Sequence, residues 1–189
     1  MNKDLRLSDI IEGKRVLLVG NSKSLLEKDY SQLIDSYEFV IRFNLAIRHL
    51  GKYPIGTKCD AWIYAMCREQ VCRSTYNIAK YKPKHCIRYG NELKIGESYL
   101  NLGADKNEVR KAIGISEDMH PSTGIVTTYH LVNHCNCKSI SLIGFDSFKN
   151  SNFYTHQNNA AVCHVPSKES NYLQELSDNR KIVFTTTRL

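Results

Sequence analysis

Apolar residues along this chain fall into short unbroken runs, separated by longer stretches in which they recur at helical spacing. The clearest run is Val16-Leu17-Leu18-Val19, closed by Gly20. Four consecutive apolar side chains, two of them β-branched, predict a strand buried on both faces, as in a parallel sheet. Similar runs at Tyr37–Asn44, Asp60–Tyr64, His85–Tyr89, Ser139–Asp146 and Lys181–Thr185 predict further strands. Between them the spacing predicts helices around Ser8–Glu12, from Ser24 to about Ile34, somewhere within Cys67–Tyr81, over Lys106–Ile113, from Pro121 through Asn136, and from Pro166 to about Ser177. Ser24 and Glu27 have the spacing of a capping box, and Pro166 suits the first turn of the last helix. Strands alternating with helices predict an α/β fold, a single domain spanning residues 1–189 with 1–14 as a lead-in.

In such a sheet, ligands collect at the carboxyl ends of the strands, where helix N-termini offer free N–H groups to anions. The candidate chemistry lies at those ends. Gly20, Asn21 and Ser22 form the turn after the first strand, yet neither G-x-G-x-x-G nor G-x-x-x-x-G-K-[ST] is present, which argues against a dinucleotide or a nucleoside triphosphate. The Asn21 amide can grip a phosphate oxygen or a hydroxyl, or simply hold the turn. Arg42 and Asn44 end the second strand, where an arginine can clamp a phosphate and an asparagine adds directional bonds. Pro121-Ser122-Thr123-Gly124 opens a helix, with Ser122 placed as its cap and Gly124 allowing either close ligand approach or tight packing. Asn150–Asn159 is a polar loop of the kind that carries function. His164 stands just before the last helix, and Glu169, in that helix's first turn, is placed as its catalytic partner, a carboxylate able to steady a charge on the imidazole.

Composition narrows the partners. The 189 residues carry 42% hydrophobic and 24% charged side chains, ordinary for a globular protein able to bury a core. A net charge of +7 favours anionic partners, but the lysines and arginines are dispersed, which argues against nucleic acid. Seven cysteines, an odd number scattered through predicted strands and helices, suggest free thiols. Cys67, Cys72 and Cys86 make only a weak metal set. With no apolar run near the ~18 residues of a spanning helix and no signal sequence, the expected location is cytoplasmic.

Taken together and in order, Val19-Gly20-Asn21-Ser22 with Arg42-Phe43-Asn44, then Pro121-Ser122-Thr123-Gly124 with Gly144-Phe145, then His164 with Glu169, resemble the large, small and very small sialylmotifs of the family 29 sialyltransferases. Phe153-Tyr154 is similar to that family's aromatic third motif. The resemblance implies a GT-A-like variant of the Rossmann-like fold, a CMP-activated acidic sugar as donor, a glycan acceptor, inversion at the anomeric carbon, and no metal or other cofactor. It assigns CMP contacts to Asn21 and Asn44, donor binding to Ser122, Thr123 and Gly124, a phosphate or leaving-group contact to Tyr154, and the general base to His164. Membrane-anchored members bridge a cysteine of the large motif to one of the small motif. Here Cys135 matches the second, but Val16 stands at the first, so that bridge cannot form.

The opening Gly-Asn-x-x-Ser-Leu and Asp29-Tyr30-Ser31 also resemble the bacterial family 42 sialyltransferases, which use the same donor. A short bacterial or viral cytosolic enzyme of capsule or lipooligosaccharide assembly fits this pattern, with membrane-surface or complex association left open. Two alternatives stand beside CMP-sialic acid transfer: another CMP-activated keto-sugar such as CMP-Kdo, and a non-catalytic nucleotide-binding subunit.

Overall fold

The computed structural model describes residues 6–65, 74–88, 99–101, 106–154 and 163–185. Cys67, Cys72, His156 and the polar loop beyond Tyr154 lie outside the described residues. The strands are β1 (Arg15–Val19), β2 (Phe39–Phe43), β3 (Ala61–Tyr64), β4 (His85–Arg88), β5 (Tyr99–Asn101), β6 (Ser139–Ile143) and β7 (Val183–Phe184). They form one sheet in the order β5-β4-β3-β2-β1-β6-β7, and every neighbouring pair is parallel. Strand β1 is therefore an interior strand, between β2 and β6, as its composition predicts. Val16, Leu17 and Leu18 are 0% exposed and Val19 1%, so both faces of this strand are covered. Burial of side chains this size contributes about 1.5–3 kcal/mol each.

Strand alternation sends each apolar run to two cores. Val16, Leu18, Ile41, Phe43, Ile63 and Leu142 face the helices α1 (Leu7–Ile11), α4 (Lys106–Ile113), α5 (Thr123–His134) and α6 (Pro166–Asp178). On the other face, Leu17, Val19 and Val40 meet Leu25, Ile55 and Ile34 of α2 (Ser31–Asp35). Trp62 and Tyr64 pack there with Ile47, Leu50 and Ile78 of α3 (Thr75–Tyr81). The order grows outward from β1 to β5 and then resumes on the opposite side of β1 with β6. That reversal makes the carboxyl ends of β1 and β6 the crevice where an α/β sheet binds ligands.

One predicted helix is corrected. Instead of a helix from Ser24 to Ile34, the chain makes a 3-10 turn over Lys23–Leu26 and then the separate helix α2. Ser22, not Ser24, is the cap: its Oγ accepts the Ser24 N–H at 3.1 Å. The chain restarts where Asp29 Oδ1 accepts the Ser31 N–H at 2.8 Å and the Tyr30 N–H bonds Pro54 O at 2.9 Å. A tertiary bond to the neighbouring loop thus overrides the local capping pattern. Strand β5 adds an edge that the apolar pattern does not announce, because three residues are too few to show alternation.

Gly20 is required by close approach. Its N–H bonds Ile143 O at 2.8 Å, and a Cβ at this position would lie 2.2 Å from Gly144 O. Gly20→Ala would force the ends of β1 and β6 apart, at a cost of about 1–3 kcal/mol or more. Urea denaturation should show a lower midpoint with an unchanged slope; an unchanged midpoint would mean that the two strand ends separate freely.

Candidate active site

The crevice at the strand ends contains a cavity of about 200 Å³, with Gly20 and Asn21 after β1, Asn44 after β2, Phe145 after β6 and the first turn of α5 in its walls. Asn21, Asn44, Ser122, Thr123, Gly124, Tyr154, His164 and Glu169, separated by up to about 150 positions in sequence, all line it. Asn44 reaches the cavity because the chain leaves β2 with φ +48° at this residue. Its Oδ1 accepts the Ala65 N–H at 2.8 Å and its carbonyl accepts the Trp62 indole N–H at 2.7 Å. Those bonds fix the side chain, so its amide N–H groups are the donors it can offer a ligand.

Asn21 donates from Nδ2 to the Tyr154 hydroxyl at 3.1 Å, and its Oδ1 is buried with no hydrogen-bond partner among the described residues. A buried unpaired carbonyl is costly, so the position is built for a ligand donor such as a sugar hydroxyl. Because Tyr154 accepts from Asn21, its own O–H is left to donate to an acceptor. Burial pushes the Tyr154 hydroxyl up to about 12, so it keeps that proton at neutral pH. Its ring is held against His49 (5.3 Å between centroids, 19° between planes) and edge-on to Phe153 (5.1 Å, 84°).

The α5 terminus is prepared for an anion. Ser122 caps it by accepting the Ile125 N–H at 3.4 Å, and Glu169 in turn holds Ser122 at two points. The Ser122 N–H donates to Glu169 Oε1 at 2.8 Å, and its hydroxyl donates to Oε2 at 2.7 Å. Thr123 and Gly124 are then the first-turn residues whose N–H groups have no partner within the helix. A Cβ on Gly124 would sit 2.7 Å from the Phe145 ring, so the missing side chain keeps that wall of the cavity in place. Glu169 is 3% exposed. Burial raises its carboxyl above the usual range, opposed by the two Ser122 bonds and the charge of His164.

His164 Nδ1 lies 2.6 Å from the carbonyl oxygen of His120. A carbonyl can only accept, so Nδ1 carries a proton and the neutral ring has its lone pair on Nε2. Phe148 stacks on the imidazole at 5.5 Å and 16°. Phe148 and its neighbour Ser147 both adopt positive φ, at 63° and 54°, and Ser147 Oγ is buried with no hydrogen-bond partner among the described residues. Two successive non-glycine residues in that region are strained, which is common at ligand sites. Neither residue is marked by the sequence, because glycine is the usual sign of such a backbone.

Two expected site residues are placed elsewhere. Arg42 is 0% exposed and points to the opposite face of the sheet, donating to Lys58 O at 2.8 Å and Ile55 O at 2.6 Å. Its expected phosphate clamp is thus a clasp on the 55–58 loop. The expectation assumed that strand alternation continues through Asn44, whereas the positive φ there ends it. Ser22 is buried outside the cavity lining, donating to Asp146 Oδ2 at 2.6 Å while capping the 3-10 turn.

Residues 12–89 match the family model of glycosyltransferase family 29 (sialyltransferase). The match covers less than half of the chain and supports a glycosyltransferase. The matched segment runs from before β1 to the end of β4 and so contains Gly20, Asn21 and Asn44. Three solved structures share the fold. A mammalian sialyltransferase aligns with a TM-score of 0.61 at 20% identity, over 93% of this chain and 70% of that one. A mammalian sialyltransferase in complex with Gal-β-1-3GalNAc-ortho-nitrophenol aligns at 0.62 and 18%, over 96% and 72%. The sialyltransferase CstII from Campylobacter jejuni, in complex with a substrate analogue, cytidine-5'-monophosphate, aligns at 0.63 and 22%, over 92% and 79%. They establish the GT-A-like sialyltransferase fold expected from the motifs. No curated protein matches the chain by sequence. Cys59, Cys86, Cys135, Cys137 and Cys163 are free thiols, and no helix among the described residues is long and apolar enough to cross a membrane.

Proposed function

We propose that this glycosyltransferase moves sialic acid from CMP-sialic acid to a hydroxyl of a glycan acceptor, with inversion and without a metal ion, in a bacterial or viral cytosolic setting. The observation that carries this reading is the His164 tautomer. Its Nδ1–H is committed to the His120 carbonyl, which leaves Nε2 as a proton acceptor in a cavity whose lining also includes the first turn of α5, where helix N–H groups can receive an anion. The acceptor oxygen attacks the anomeric carbon as the bond from that carbon to the phosphate oxygen breaks. The hydroxyl proton passes to Nε2, and CMP leaves with its phosphate charge against the Thr123 and Gly124 N–H groups and the Tyr154 hydroxyl. Those donors supply the stabilisation that a divalent ion provides elsewhere. Turnover in EDTA should therefore equal turnover without it. Loss in chelator, restored by Mg²⁺ or Mn²⁺, would refute the metal-independent mechanism.

The test of the reading is release of CMP together with a new glycoside, followed with CMP-sialic acid and CMP-Kdo in parallel. Transfer from CMP-Kdo alone would reassign the sugar while leaving the CMP site in place. Asn21→Ala removes the orphaned acceptor at small cost to the fold. It should weaken CMP binding by roughly 1.5–3 kcal/mol, about ten- to a hundredfold in Kd by calorimetry. Unchanged affinity would displace the nucleotide from this strand end.

A further inference from the structure

His49 is a titratable side chain that the proposed proton transfer does not use, and it stands directly behind a residue assigned to the leaving group. It ends the 3-10 segment Asn44–His49, whose first residue lines the cavity. Its imidazole is stacked with two phenols. Tyr154 lies on it at 5.3 Å between centroids and 19° between planes, and Tyr53 at 6.2 Å and 21°. Phe153 meets His49, Tyr53 and Tyr154 at steep angles, with centroids 6.2 Å, 5.6 Å and 5.1 Å away. Burial, with the charges of Lys52 and Arg48, pushes the imidazole below its ordinary value, so at neutral pH it is an uncharged ring. What it presents to Tyr154 is therefore a flat, neutral face.

The segment that carries His49 is tied down from several sides. Asn77 Nδ2 donates to Arg48 O at 3.4 Å, and the Tyr81 hydroxyl donates to Leu50 O. The loop that follows is gripped by buried Arg42 through Ile55 O and Lys58 O, and by Asp35 Oδ1, which accepts the N–H groups of Thr57 at 3.1 Å and Lys58 at 2.9 Å. Arg42, although turned away from the cavity, thus supports it from below. The Tyr154 hydroxyl has one anchor among the described residues, Asn21 Nδ2 at 3.1 Å. A single bond lets a ring swing about it, so the direction of the O–H is set by what lies against the ring.

We propose that His49 is a positioning residue, whose ring face fixes the Tyr154 ring and so aims the Tyr154 O–H into the cavity. A misplacement of about 1 Å in a group that meets the reacting atoms can cost about 10²-fold in rate. The proposal rests on the reading that Tyr154 faces the leaving phosphate, but the pose of the ring is measurable without turnover. His49→Leu fills the space without a flat face, whereas His49→Phe keeps the face and discards the nitrogens. Crystal structures of the two full-chain variants read the pose of Tyr154, and turnover with CMP-sialic acid reads its consequence.

In His49→Leu the Tyr154 ring should leave its position or spread over two poses, and kcat should fall about tenfold or more with KM for the donor within about twofold. His49→Phe should keep the ring in place and restore most of the rate. In a Tyr154→Phe background, which lacks the hydroxyl, His49→Leu should cost no more than about twofold further, because the two substitutions remove one effect. An unmoved Tyr154 ring in His49→Leu, equal losses in the two variants, or losses that multiply with Tyr154→Phe would overturn the proposal. A displaced ring with normal turnover in Tyr154→Phe would keep His49 as the positioning residue and remove the leaving-group role of Tyr154. If no glycoside forms at all, the ring pose alone decides for or against His49, and the transferase reading falls.

Discussion

Replacing His164 by alanine is expected to slow glycosyl transfer by ~10²-fold or more while leaving CMP affinity within about twofold. A base must present a lone pair at the acceptor side, and the Nδ1 bond to the His120 carbonyl leaves that lone pair on Nε2. CMP, by contrast, is assigned to Asn21, Asn44 and the α5 terminus, none of which takes a hydrogen bond from His164. The loss should therefore appear in kcat rather than in nucleotide binding. His164→Gln restores a hydrogen-bonding side chain but no base, so it should be as slow as alanine. Near-normal turnover in either variant would falsify the assignment and make His156 the next candidate.

Glu169→Ala should produce the largest loss of stability among the site variants. It strips two buried hydrogen bonds from Ser122, one from the main-chain N–H and one from the hydroxyl, each made to a charged acceptor. At about 1.5–3 kcal/mol per bond, a loss of about 3 kcal/mol or more is expected, which in a chain of this size lowers Tm by roughly 6–12 °C. Glu169→Gln keeps the acceptor for the Ser122 N–H and turns an amide donor toward the hydroxyl, so it should lose less than half as much. Calorimetric melting of the two variants checks the order; equal losses would mean that packing, not Ser122, is what Glu169 supports.

The pH dependence has a definite sign. Burial raises the carboxyl of Glu169 above its unfolded value, so between the two values the folded state binds the extra proton and stability falls as pH rises. The stabilisation is complete below about pH 4.5 and is lost as pH rises through the folded value. Glu169→Gln should flatten the stability profile over that range.

Much of the sheet was legible because its strands are nearly pure apolar runs. Val16–Val19 could be placed in the interior of the sheet from composition alone, since a strand covered on both sides is what tolerates four such residues in succession. The helix starts at Ser122 and Pro166 were legible for the same local reason, a cap residue and a proline. Arg42 was not, because which face a side chain takes at the end of a strand depends on where alternation stops, and Asn44 stops it with a positive φ. Glu169 was visible as a partner for His164, but its two-point hold on Ser122 joins residues 47 positions apart and has no local signature. The same holds for Phe148, whose stacking on His164 depends on two strained residues that a sequence shows as an ordinary Ser-Phe pair.

The anchor of the imidazole at position 164 is a peptide carbonyl, and that fact bears on how the enzyme can be changed. Every amino acid supplies the same oxygen, so the side chain at position 120 is uncoupled from the orientation of the base. The neighbouring strap, the His120 N–H to Cys163 O bond at 2.8 Å, is likewise main chain to main chain. Residue 120 is therefore a position where a saturation library can vary the side chain while the main-chain anchor of the imidazole stays in place.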